Sequence, residues 1–86
     1  MNRNRRKWLK VRMAAAARDK YMCVVCGRPA VDVHHIMFRS HGGKDELQNV
    51  VCLCRKHHIA AHGVEVKTWR RFFKDYIRKV TESDEE

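Results

Sequence analysis

Acidic side chains are scarce in this 86-residue chain: ten Asp and Glu stand against nineteen Lys and Arg, for a formal charge of +9. Such a balance calls for a polyanionic partner, nucleic acid foremost. Long apolar runs are missing too. Behind the basic stretch 1–7 there is only Ala14 to Ala17, far short of a signal-peptide core or the roughly 20 residues of a membrane span, so a cytoplasmic protein with no membrane partner is expected. The length leaves room for one domain, and a chain this short buries only about 60 % of its unfolded surface, so a further staple is expected. No internal repeat is visible.

Four cysteines could provide that staple as two disulfides or as metal ligands. With no secretory segment in view, they are read as reduced. The charge is also lopsided: eight of the nineteen bases lie in the first twenty residues and four of the ten acids in the last five. The basic end is therefore the expected contact surface.

Along the chain, residues 1–7 read as a basic arm, 8–80 as the domain with its core at about 21–63, and 81–86 as a disordered acidic tail. From Trp8 to about Lys20, the apolar positions Leu9, Met13, Ala16 and Ala17 recur at helical spacing. Tyr21 to Gly27 is a short strand and turn closed by Gly27-Arg28-Pro29. Val31 to Ile36 alternates like a strand, Phe38 to Lys44 reads as a loop, and a second strand is expected at about Asn49 to Leu53. Arg55 to His62 predicts a short helix stopped by Gly63. Trp69, Phe72, Phe73, Tyr76, Ile77 and Val80 then mark one face of an amphipathic helix, read as a packing face. The class is α+β.

Cys23 and Cys26 form a CxxC pair, and Cys54 with His57 repeats the spacing. Thiolate and imidazole are the usual ligands of tetrahedral Zn²⁺, and a closed four-ligand site stabilises a small fold without doing chemistry. Cys52 is a competitor for Cys54, since residues two apart on a strand project to the same side. Cys54 is preferred because it makes a turn-sized chelate with His57.

Five histidines remain. His58 and His62 stand at i, i+4 and share a helix face, the way a helix offers two imidazoles to a metal. His34 and His35 are adjacent on a strand and must point to opposite sides, unless the backbone bends at the strand end. A divalent ion on three neutral imidazoles keeps positions open for phosphate oxygens, and a separate histidine can take a proton from water. Asn49 precedes the second strand and has an amide able to tie the connecting loop across the hairpin. His41, beside Gly42 and Gly43, reads as a loop residue or phosphate contact.

The series Cys23-Val24-Val25-Cys26, Val33-His34-His35-Ile36, Gly42-Gly43, Asn49-Val50-Val51-Cys52-Leu53-Cys54 and His57-His58 with His62 resembles the HNH nucleases, in particular small stand-alone members from phages and bacteria. The resemblance covers about forty residues. It implies a ββα-metal, treble-clef-like core with flanking N- and C-terminal helices. It further implies that His34, His58 and His62 hold a catalytic ion, that His35 is the general base, and that Asn49 orients the loop and thereby the base. Asp32 could orient an imidazole from behind. Many zinc-containing relatives carry cysteine where this chain has His57, an exchange zinc tolerates.

The function expected is a metal-dependent DNA endonuclease in which His35 activates water, leaving 5′-phosphate and 3′-hydroxyl ends, with one site nicking one strand per encounter. Arg39, Lys44, Arg55 and Lys56 are candidates for holding the DNA backbone. The ligand set favours Mn²⁺, Co²⁺, Ni²⁺ or Zn²⁺ over Mg²⁺, which prefers oxygen. A non-catalytic zinc-knuckle DNA-binding module is the alternative, and an adaptor using the aromatic helix a third. The chain could act as a monomer or a homodimer.

Overall fold

The protein is described by a computed structural model covering residues 3–84, with side chains described through residue 82. Three helices and one two-stranded antiparallel sheet make up the fold: α1 (Arg3–Arg18), β1 (Asp32–His35), β2 (Val50–Leu53), α2 (Arg55–Ala61) and α3 (Val66–Asp84). Two single 3₁₀ turns, Arg39–His41 and Leu47–Asn49, shape the connection between the strands. The α+β class and the strand–loop–strand–helix order agree with the sequence reading. Among the described residues no helix is long and apolar enough to cross a membrane.

β1 and β2 pair in the register Asp32 to Leu53, Val33 to Cys52, His34 to Val51 and His35 to Val50. All four residues of β2 are buried, because each face of the hairpin is covered by a different helix. Val50 and Cys52 point toward α1 and pack with Ala15, Trp8, Val11 and Val33. Val51 and Leu53 point the other way, into a larger cluster with Ile36, Ala61, Phe73 and Ile77. Period-two alternation thus splits one short strand between two cores.

α1 starts at Arg3, so residues 3–7 are helical rather than an arm; residues 1–2 lie outside the described residues. Its packed stripe is Trp8, Val11 and Ala15, and not the expected Leu9, Met13, Ala16 and Ala17, of which Met13 is 70 % exposed. Both stripes have helical spacing. The one that wins carries the large aromatic and ends on Arg18 and Asp19, which are bonded to the sheet. At the other terminus α3 runs to Asp84, so the expected tail is helical through that residue, and Glu85 and Glu86 lie outside the described residues.

A buried ion pair locks the three layers together. The Asp19 carboxylate accepts from Arg18 Nε at 2.8 Å, from the Cys52 backbone N–H at 3.0 Å and from the Tyr76 hydroxyl of α3. Arg18 in turn donates to the carbonyls of Leu47 and Val50, each at 2.7 Å. Burial by itself would raise the Asp19 pKa, but the hydrogen bonds from Arg18, Tyr76 and Cys52 outweigh it and hold the carboxyl below its ordinary value. Its contribution to stability is therefore present above the unfolded carboxylate pKa of about 4 and is lost as pH falls through the lower folded value.

The loop between the strands needs glycine for two different reasons. Gly42 has φ +86°, a backbone region that side chains disfavour. Gly43 has no positive φ, but a Cβ there would sit 1.8 Å from the Met37 carbonyl oxygen. The chain crosses itself at that point with no room for a side chain.

Two outcomes test this frame. Asp19→Ala should cost about 3 kcal/mol in denaturant unfolding, since it strands the Arg18 guanidinium beside the core. Gly43→Ala should cost at least about 2 kcal/mol, more than Gly42→Ala, because a backbone must move and not merely a torsion.

Candidate metal centres and the histidine cleft

The first cluster forms where a turn meets a helix start. Cys23 and Cys26 flank a tight reversal in which Gly27 N–H donates to the Cys23 carbonyl at 2.9 Å and Gly27 adopts φ +76°. Val24 N–H donates to the Cys52 carbonyl at 3.0 Å, which pins this knuckle to β2. Cys54 caps α2 with extended backbone and His57 lies in the first turn of that helix. The ligand atoms of Cys23, Cys26, Cys54 and His57 all lie within 4.8 Å of one another.

The edges of this cluster can be compared with a metal tetrahedron. Zn–S bonds of about 2.3 Å and Zn–N bonds of about 2.0 Å give S···S edges of about 3.8 Å and S···N edges of about 3.5 Å. The Cys26 and Cys54 sulfurs are 3.8 Å apart, and His57 Nδ1 is 3.7 Å from the Cys23 sulfur and 3.3 Å from that of Cys54. The Cys₃His set is compatible with zinc.

Cys52 is not in this cluster. It packs against Ala15 on the α1 side, where burial, followed by the Asp19 charge, pushes its thiol up to about 12. The expectation that Cys52 and Cys54 share a side fails because β2 ends at Leu53. Beyond that residue the backbone turns into α2, and the alternation no longer applies.

The second cluster brings together His34 from β1, His58 from α2 and His62 just past the end of that helix, again with ligand atoms within 4.8 Å of one another. His58 Nε2 and His62 Nε2 are 3.2 Å apart. His58 Nδ1 donates to Asp32 Oδ2 at 2.8 Å, which turns Nε2 toward the cluster as the acceptor of the neutral ring. Asp32 therefore backs His58, and it also meets Arg55 at 3.4 Å. His34 is 2 % exposed and its Nδ1 is buried without a hydrogen-bond partner among the described residues. Burial first, then the neighbouring His58 and His62, lower its pKa to about 3, so it is a neutral imidazole. An orphaned nitrogen beside two converging imidazoles is the donor set a borderline divalent ion takes.

His35 faces away from His34, as strand geometry requires, yet it lines the same open cleft of about 460 Å³ as His34, His58 and His62. Its Nε2 lies 2.8 Å from Asp45 Oδ1, and an ionised carboxylate can only accept, so Nε2 carries a proton and, in the neutral ring, Nδ1 is the acceptor. Trp8 stacks on the His35 ring at 4.9 Å, and Arg39 closes the group by donating to Asp45 at 3.0 Å while lying over the Trp8 ring. Asp45 and Trp8 escaped the sequence reading. Asp45 belongs to no motif, and Trp8 was visible only as the start of a helix.

Asn49 bridges the connecting loop. Its side chain accepts from Met37 N–H at 2.9 Å and donates to the carbonyls of Met37 and Lys44 at 3.1 and 3.0 Å. The segment carrying Asp45 is thereby held against the end of β1. Of the cationic candidates, Arg39 lines the cleft, while Lys44, Arg55 and Lys56 are exposed and Arg55 leans on Asp32. His41 is exposed at the end of a 3₁₀ turn, outside both clusters.

Comparison with known proteins bears on the same segment. The sequence profile of the family described as HNH endonuclease matches residues 23–63. "Uncharacterized protein YdfU" of Escherichia coli (strain K12) is 36 % identical over 61 residues, which is 67 % of this chain but only 17 % of that protein. The matched residues run from the first cysteine of the knuckle to the glycine after His62, and so contain both clusters, His35 and the whole strand–loop–strand–helix unit. Residues 23–63 of this chain match the HNH endonuclease family as one continuous unit.

Proposed function

We propose that this protein is a metal-dependent DNA endonuclease that hydrolyses phosphodiester bonds. The observation that carries this reading is the shared cleft: His35, held through Nε2 by Asp45, lines the same open space as the three converging imidazoles of His34, His58 and His62. In this reading residues 21–63 are the nuclease core, and α1 and α3 buttress it from the two faces of the hairpin.

His34, His58 and His62 would hold the catalytic ion, with Mn²⁺, Co²⁺, Ni²⁺ or Zn²⁺ better matched to imidazole than Mg²⁺. A divalent ion bound there supplies a Lewis acid that neutralises charge at phosphorus and on the departing oxygen. The remaining steps fall to the chain itself. Asp45 fixes the His35 tautomer, and His35 Nδ1 accepts the proton of a water as its oxygen bonds to phosphorus in line. The P–O3′ bond breaks and the leaving oxygen takes a proton from solvent, giving a 5′-phosphate and a 3′-hydroxyl. Asn49 positions the base indirectly, through the loop. Arg39, Lys44, Arg55 and Lys56 would hold flanking phosphates, and a single cleft per chain would nick one strand per encounter. Cys23, Cys26, Cys54 and His57 would hold a structural zinc that takes no part in the chemistry.

Two measurements test these assignments. Mass spectrometry under native conditions should find one tightly held zinc per chain, and Cys26→Ser should lose it together with cooperative unfolding, because binding and folding are coupled in such sites. Supercoiled plasmid should be nicked when a divalent ion is restored to protein stripped at the histidine cluster. His35→Ala should slow this about 10²–10⁴-fold, and Asp45→Asn about 10–100-fold, less than for a fully buried pair. Intact plasmid under every ion, with the fold and zinc confirmed, would instead identify a DNA-binding module without catalysis.

A further inference from the structure

The solvent side of α3 carries Lys67, Arg70, Arg71, Lys74 and Arg78, spaced so that they run down one side of the helix. Asp75 is the one acid among them, and it is engaged with Arg78 at 3.0 Å. Lys67, Arg71 and Lys74 form no ion pair among the described residues. A solvated helix face that serves stability usually mixes signs, because like charges at i, i+3 and i, i+4 each cost a few tenths of a kcal/mol. Here 67–70, 67–71, 70–74, 71–74 and 74–78 are all like-charged neighbours. This row weakens the isolated helix, and an anion laid along it would reverse the sign of the effect.

The row is also anchored to the cleft. Arg70 Nε donates to the Ile36 carbonyl at 3.1 Å, just past the end of β1, and its guanidinium lies 4.7 Å from the centre of the Phe38 ring. Phe38 stacks on His62 at 4.7 Å with an interplanar angle of 12°. A single side chain, Phe38, thus stands between Arg70 of the basic row and the imidazole cluster. From Lys67 to Arg78 it extends about 16 Å along the helix axis, the rise of about five base pairs of duplex. It lies beyond residue 63, outside the segment matched by the family.

We propose that the α3 row holds the phosphate backbone of duplex DNA flanking the histidine cleft, so that a helix outside the nuclease core sets where the substrate enters. This rests on the reading of the cleft as acting on DNA. In this arrangement Arg70 marks the junction, and Arg71 and Lys74 contact phosphates farther out.

The test measures binding separately from cutting, by fluorescence anisotropy of zinc-loaded protein in the His35→Ala background with a duplex of about 20 base pairs, several times the length of the row. Arg71→Gln/Lys74→Gln is compared with Lys20→Gln/Arg28→Gln, which removes the same charge from exposed positions outside α3, both after the end of α1 and its basic run. The α3 pair should weaken binding about tenfold or more and make the slope of log K against log salt shallower by about 2, since each lost phosphate contact removes about 0.9. The control pair should leave that slope unchanged. Equal losses in both pairs would reduce the effect to overall charge and overturn the proposal, as would no loss in either. DNA binding with the α3 signature but no plasmid nicking by the unsubstituted protein would sink the catalytic reading while leaving the row in place. Nicking with unaltered binding by the α3 pair would do the reverse.

Discussion

Val50–Leu53 has no exposed face, and the placement of nearly every functional side chain follows from that burial. A strand covered on both sides must take its two cores from opposite directions, so α1 and α3 have no freedom to pack on the same face. Its backbone polar groups must also find partners within the protein. The Cys52 N–H goes to Asp19 and the Cys52 carbonyl to the knuckle at Val24, so the register of one short strand fixes both the end of α1 and the cysteine turn. On either side of it stand Asn49, which holds the loop, and Cys54, which opens α2.

The two clusters divide their tasks through local geometry rather than through separate domains. Cys54 and His57 occupy the N-cap and first turn of α2, and His58 with the C-capping His62 belongs to a different side of the same short helix. The knuckle residues face a hydrophobic cluster with Trp69 nearby, a setting suited to a closed site. The imidazoles face an open cleft rimmed by Arg39 and Phe38. An ion held by the first set would sit beside packed apolar side chains, and one held by the second would face open space.

Much of this was legible from spacing. The paired Cys/His spacings and the i, i+4 histidines depend on local backbone geometry, which a sequence displays directly, and residues 23–63 are dense in such signals. The long aromatic helix was equally plain, although Phe72 lies 43 % exposed at the margin of its packing face. α1 was read on the wrong side because Leu9, Met13, Ala16 and Ala17 satisfy the helical period as well as Trp8, Val11 and Ala15 do. Only tertiary contacts, the Trp8 stack on His35 and the Asp19 network, separate the two stripes. Asp45 and Arg70 were invisible for a related reason: each acts across a gap in sequence, on His35 and on Ile36, and carries no pattern of its own. The side taken by Cys54 escaped strand logic because the strand stops one residue earlier.

His57 and His58 are neighbours in the chain, yet one belongs to the cysteine cluster and the other to the imidazole cluster. Successive residues on a helix are turned by about 100°, and α2 uses that angle to serve two sites at once. Adding or removing one residue anywhere between Cys54 and His62 would swing at least one ligand out of its cluster. The length of this short helix is therefore set by the two clusters together. Within it an outward side chain such as Ile59 belongs to neither cluster and lies outside this constraint.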